Sequence, residues 1–115
     1  MTVTILHNPR CSKSRQTLAL LEENGIAPEV VEYLKTPPTK EQLKEILSAL
    51  SMAPRDLMRK KEAEYKDNSL DDTALTDEQL IDAMIAHPKL IERPIVIKDG
   101  AVRIGRPPES VLEIL

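Results

Sequence analysis

The chain has 115 residues, 41% of them apolar, and a net charge of −3, which suits one domain able to bury about two-thirds of its unfolded surface. The acidic balance argues against a general nucleic-acid-binding surface, and two Tyr with no Phe or Trp leave little to stack on bases. One Cys excludes an internal disulfide and a cysteine-built zinc site, and no apolar run reaches the length of a membrane span or follows the pattern of a leader.

The expectation is therefore a single domain over residues 1–115, in the cytoplasm, with no metal, membrane or nucleic-acid partner. The β-branched run from Val3 to His7 predicts a first strand, and the pattern from Ser12 to Asn24 a helix with Leu18, Leu20 and Leu21 inward. Gly25 stands where a left-handed residue closes a helix. Pro28 opens a second strand, Glu29 to Tyr33, parallel to the first through a right-handed crossover. After the turn at Thr36-Pro37-Pro38, Thr39 and Gln42 form a capping box. Leu43, Ile46, Leu47 and Leu50 then give one helical face. Pro54 at a first helical position starts a short helix through Leu57, Met58 and Arg59.

Lys60 to Ala74 is charged and aperiodic, and Lys60 and Lys61 read as a solvated face. Thr76 and Gln79 repeat the capping box ahead of Leu80, Ala83, Met84 and His87, and Pro88 ends that helix. His87, at a helix C-terminus, reads as structural. Ile95–Ile97 and Ala101–Ile104 flank Asp99-Gly100, a strong hairpin signal. Pro107-Pro108 opens a last helix carrying Val111, Leu112 and Leu115. The outline is α/β, a mixed sheet of about four strands with a helical block inserted in its middle.

Cys11 falls at the first turn of the first helix, where unpaired N–H groups and the helix dipole favour an anion. Arg10, Lys13 and Arg15 add positive charge, so the loop reads as a seat for a thiolate and for an oxyanion. The alternative is a small buried residue at a strand–helix junction. Counted outward from Asp99-Gly100, Lys98 faces Ala101, and the same count sets Arg93 opposite Arg106 on one face. Two unit charges about 5 Å apart repel by roughly 3 kcal/mol at an effective dielectric near 20. The pair therefore suggests half of an anion clamp, because guanidinium forks match tetrahedral oxyanions. Otherwise it is a solvated pair, or one partnered by Glu92 and Glu109.

His7-Asn8-Pro9-Arg10-Cys11-Ser12-Lys13-Ser14-Arg15, Leu57-Met58-Arg59-Lys60, Glu92-Arg93-Pro94-Ile95-Val96 and Gly105-Arg106-Pro107-Pro108-Glu109 closely resemble the ArsC family of glutathione- and glutaredoxin-coupled arsenate reductases. Tyr33-Leu34-Lys35-Thr36-Pro37-Pro38-Thr39 and His87-Pro88 also fit, so the resemblance spans nearly the whole chain. It implies a thioredoxin-like fold, a cis peptide at Arg93-Pro94, Cys11 as nucleophile, and Arg59, Arg93 and Arg106 as oxyanion ligands. The implied reaction reduces arsenate to arsenite: Cys11 attacks arsenic, glutathione attacks the thioarsenate, and glutaredoxin removes the glutathione. No cofactor is bound; glutathione is a thiol co-substrate.

A single cysteine agrees with that division of labour, because a two-electron reduction by thiols needs a second thiol from outside. The resemblance also implies that His7 assists the thiolate, although a strand-end histidine is equally well structural. Ser14 and Arg15 offer donors to the anion loop, as does Ser12, which capping explains equally well. After Cys11 the chain reads Ser-Lys-Ser-Arg where well-known members have Gly-Thr-Ser-Arg, a more charged and less pliant loop. Two other functions compete: a glutathione-dependent thiol/disulfide reductase of the same fold, and a regulator resembling the Spx proteins that bind RNA polymerase. The latter commonly carry a Cys-x-x-Cys switch, and Ser14 holds its second position here.

Overall fold

The computed structural model describes residues 2–115. The chain forms two compact units, Met1–Thr36 with Arg93–Leu115, and Pro37–Glu92, so the second interrupts the first.

The first unit is a four-stranded sheet. Strands β1 (Val3–His7), β2 (Glu29–Glu32), β3 (Ile95–Lys98) and β4 (Ala101–Ile104) lie in the order β2-β1-β3-β4. β1 runs parallel to β2 and antiparallel to β3, which is antiparallel to β4. Helix α1 (Ser12–Glu23) makes the crossover between β1 and β2. It ends as Gly25 required: φ is +76° there, and the N–H groups of Gly25 and Ile26 return to the carbonyls of Glu22 and Leu21 at 3.0 Å each. Ile5, Leu21, Val96 and Val111 are fully buried in one cluster, with Leu18, Leu20, Ile26 and Ile114 packed against it. Each such side chain contributes about 1.5–3 kcal/mol on burial.

Two expectations in this unit are corrected. β2 stops at Glu32 rather than Tyr33, because the N–H groups of Lys35 and Thr36 both turn back to the Glu32 carbonyl, at 2.9 and 3.0 Å. The last helix is a 3-10 segment, Pro108–Ile114, not an α-helix. Its inward residues recur every third position, with Pro108 and Val111 buried and Ile114 half-buried, as three residues per turn demands. Leu112 and Leu115, the other apolar residues of this end of the chain, are exposed.

The second unit is helical: α2 (Lys40–Leu50), α3 (Pro54–Leu57), α4 (Ala63–Asp67), α5 (Asp77–Ala86) and a 3-10 turn, Pro88–Leu90. Both capping boxes form, Thr39 with Gln42 and Thr76 with Gln79. Leu43, Ile46 and Leu47 of α2 and Leu80, Ile81 and Met84 of α5 are buried. Helix α3 stops at Leu57 instead of reaching Arg59, because Met58 makes an antiparallel bridge with Ile91. Within the aperiodic stretch, Arg55 fastens the chain by donating to Tyr65 Oη (2.8 Å), the Leu70 carbonyl and the Asp72 carbonyl (2.9 Å). His87 is the C-cap of α5, its N–H on the Ala83 carbonyl at 2.8 Å. Among the described residues, no helix is long and apolar enough to cross a membrane.

Candidate active site

β1 delivers the chain into a tight loop at its C-terminal end. Asn8 organises the loop, as a short amide side chain can. Its Oδ1 accepts from the Arg10 N–H at 3.0 Å, and its carbonyl accepts from the Cys11 N–H at 3.0 Å. Its own N–H donates to Ser14 Oγ at 3.0 Å, and that oxygen shares a 2.6 Å hydrogen bond with His7 Nδ1. Ser14 is fully buried, and His7 and Asn8 nearly so. The hydroxyl of Ser14 is therefore held inside the loop by Asn8 and His7. Arg15 reaches back to the Pro9 carbonyl at 3.0 Å and braces the loop from outside.

Cys11 is the N-cap residue of α1 and is half-buried. Burial pushes its thiol pKa up, but the Ser14 N–H, the hydrogen bond and charge of Arg93, and the Lys13 N–H together outweigh burial. The net effect holds the thiol below its ordinary range. Arg106 adds a second guanidinium, with Nη2 3.7 Å from the sulfur. Of the flanking basic residues, Lys13 acts on the sulfur through its peptide N–H, and Arg15 braces the loop. Sequence neighbours supply peptide dipoles; the cations come from the far end of the chain.

Arg93 and Arg106 meet at the base of the β3–β4 hairpin. Its register is the expected one, with Lys98 facing Ala101 and Ile95 facing Ile104, and both Asp99 and Gly100 have positive φ. The pairing continues one step, Gly105 N–H to the Pro94 carbonyl at 2.9 Å, and then breaks. The Arg106 N–H turns to its own Ile104 carbonyl, so the two arginines do not form a strict cross-strand pair. Instead Arg106 Nε donates to the Arg93 carbonyl at 2.8 Å. Both arginines precede cis prolines, Pro94 and Pro107. Glu92, weighed above as a partner for Arg93, pairs with Arg59.

Arg59 belongs to the helical unit. Its N–H donates to the Leu90 carbonyl at 2.6 Å, and its guanidinium is held by Glu92 at 3.0 Å and Glu62 at 3.3 Å. The structure thus brings Cys11, Arg93 and Arg106 together and joins His7 to Ser14. Burial pulls the His7 pKa down, and so does the Arg15 charge, against an upward pull from Glu32; the ring is held neutral above its lowered value. Asn8 was missed from sequence, although Asn after a strand and before Pro is a recognisable turn signal. Among the described residues, no group of three His, Cys, Asp or Glu is placed to hold a metal ion.

The arrangement can ionise one thiol and present two guanidinium forks beside it. The profile of the ArsC family matches residues 6–114. The chain is 58% identical over 114 residues to YfgD of Escherichia coli (strain K12), named an uncharacterized protein, covering 98% of this chain and 96% of that one. It is 49% identical over 114 residues to a protein of Neisseria meningitidis serogroup A named arsenate reductase, covering 98% and 97%. A solved structure described as an arsenate reductase from Vibrio cholerae matches with a TM-score of 0.97 at 57% identity, covering 100% of this chain and 98% of that one.

Proposed function

The chain belongs to the ArsC family and has its thioredoxin-like fold, and from that premise we propose that it is an arsenate reductase in which Cys11 is the nucleophile. The observation that carries the reading is a thiol whose pKa is held below its ordinary value, with Arg106 Nη2 3.7 Å from the sulfur and Arg93 hydrogen-bonded to it. A thiolate so flanked is ready to attack, and the same guanidinium groups suit the oxygens of a tetrahedral anion.

In the proposed sequence the Cys11 thiolate bonds to arsenic, and one arsenate oxygen leaves as water after protonation. Glutathione then displaces a second arsenic-bound oxygen as water, leaving arsenic bonded to both sulfurs. A glutaredoxin thiolate attacks the glutathione sulfur, and two electrons pass to arsenic, giving As(III) and a glutathione–glutaredoxin mixed disulfide. Water releases arsenite and returns the Cys11 thiolate. Arg59 is carried over from the family resemblance as the third oxyanion ligand. Its present partners are Glu62, on Nε, and Glu92, on Nη1, which occupy only part of a five-donor guanidinium. His7 and Ser14 act by holding the loop, and Arg15 braces it. Dependence on glutathione places the reaction in a reducing compartment, the cytoplasm.

The test is a coupled assay with arsenate, glutathione and glutaredoxin. Wild-type protein is expected to release arsenite, and Cys11→Ser to release none while melting cooperatively. Turnover retained in Cys11→Ser removes Cys11 as the nucleophile; faster turnover of mixed disulfides than of arsenate favours the thiol/disulfide reductase instead.

A further inference from the structure

We infer that Gly105 and Thr17 are positioning residues: their direct contact sets how closely the base of the arginine-bearing hairpin approaches the N-terminus of the helix that carries Cys11. Gly105 is buried between β4 and Arg106. A Cβ at this position would lie 2.5 Å from Thr17 Oγ1, 3.1 Å from Thr17 Cγ2 and 2.7 Å from Pro94 Cγ. Two of those approaches are closer than real Cβ contacts come. Gly25 and Gly100 have positive φ and open space around them. Gly105 is the reverse case, where space rather than backbone conformation demands glycine.

The atoms it meets cannot easily yield. Thr17 is fully buried, and its Oγ1 is tied to the Lys13 carbonyl at 2.8 Å, which fixes the rotamer. Pro94 is a ring closed directly after Arg93, and its carbonyl accepts the Gly105 N–H at 2.9 Å. A side chain here therefore wedges the hairpin base away from α1. Arg93 and Arg106 flank this wedge point in sequence, at Pro94 and Gly105, while the sulfur sits on the helix side. The 3.7 Å approach of Arg106 Nη2 to the sulfur spans the gap that would open. The inference rests on Arg93 and Arg106 being the cations of the Cys11 thiolate; it does not depend on arsenate being the substrate.

The experiment measures the pH dependence of Cys11 alkylation by iodoacetamide in wild type, Gly105→Ala, Thr17→Ala, the double variant and Arg106→Ala. A shift of the arginines by about an ångström weakens their attraction enough to raise the thiol's apparent pKa by roughly half a unit or more. Gly105→Ala is expected to show that rise, and Thr17→Ala added to it to restore part of the wild-type value, because it removes the tightest contact, at Thr17 Oγ1, together with that at Thr17 Cγ2 and leaves only the one with Pro94. A general loss of stability would not be reversed by deleting a second buried group. A wild-type profile in folded Gly105→Ala overturns the inference, as does a double variant no better than the single. If Gly105→Ala does not fold, recovery of a folded double variant with the acidity of Thr17→Ala supports the contact, and failure of the double variant to fold overturns it. An Arg106→Ala profile identical to wild type, by contrast, removes the arginine–thiolate reading itself and the inference with it.

Discussion

At Cys11 burial and stabilisation of the anion pull in opposite directions, and the second wins through groups that can be removed singly. Arg93 supplies both a hydrogen bond and a charge to the sulfur. Its replacement by Ala is expected to raise the midpoint of the alkylation–pH curve by about one unit, the usual effect of removing an opposite charge at contact distance. An unmoved midpoint would strike Arg93 from the site. The position of Cys11 at a helix start was legible in the sequence, because a β-branched run followed by an amphipathic pattern marks the junction. The buried role of Ser14 was not, since a serine in a loop carries no sign of whether its hydroxyl faces a ligand or the loop's interior. Only the neighbouring Asn8 N–H and His7 ring, 3.0 and 2.6 Å away, decide it.

The elements that local chemistry specifies came out as read. Two capping boxes, the Gly25 helix stop and the Asp99-Gly100 hairpin each satisfy backbone groups within a few residues. Elements whose form depends on distant partners did not. Arg59 leaves its expected helix because Met58 pairs with Ile91, more than thirty positions along. The 3-10 segment Pro108–Ile114 takes its period from the surface it covers on the sheet and α1. Val111→Ala is therefore expected to cost about 2 kcal/mol, removing two buried methyl groups and leaving a cavity. Leu112→Ala should stay within about 0.5 kcal/mol, as exposed positions do. Urea unfolding of the two variants checks the register: equal losses, or a larger loss at Leu112, would restore an α-helical reading of this segment.

At the scale of the molecule, two depressed pKa values make stability depend on pH. His7 is depressed from 6.5, so the unfolded chain takes up a proton there more readily than the native one. The stability this contributes is complete above pH 6.5 and is lost as pH falls through the lowered native value. Cys11 is depressed from 9.0, so its contribution is complete above pH 9.0 and is lost as pH falls through its own native value. Thermal melts across pH are expected to show an acid-side loss that is smaller in His7→Gln and a neutral-to-alkaline rise that is absent in Cys11→Ser. A rise that persists without the thiol would assign it to another group. The sulfur-bearing unit is itself split, with the helical unit between its two segments, and Arg106 follows Cys11 by 95 positions. During synthesis the sulfur thus emerges from the ribosome long before its guanidinium partners have been translated. A nascent chain halted in the helical segment would carry a thiol of ordinary sluggishness, which leaves the growing polypeptide little exposed to premature oxidation or adduct formation.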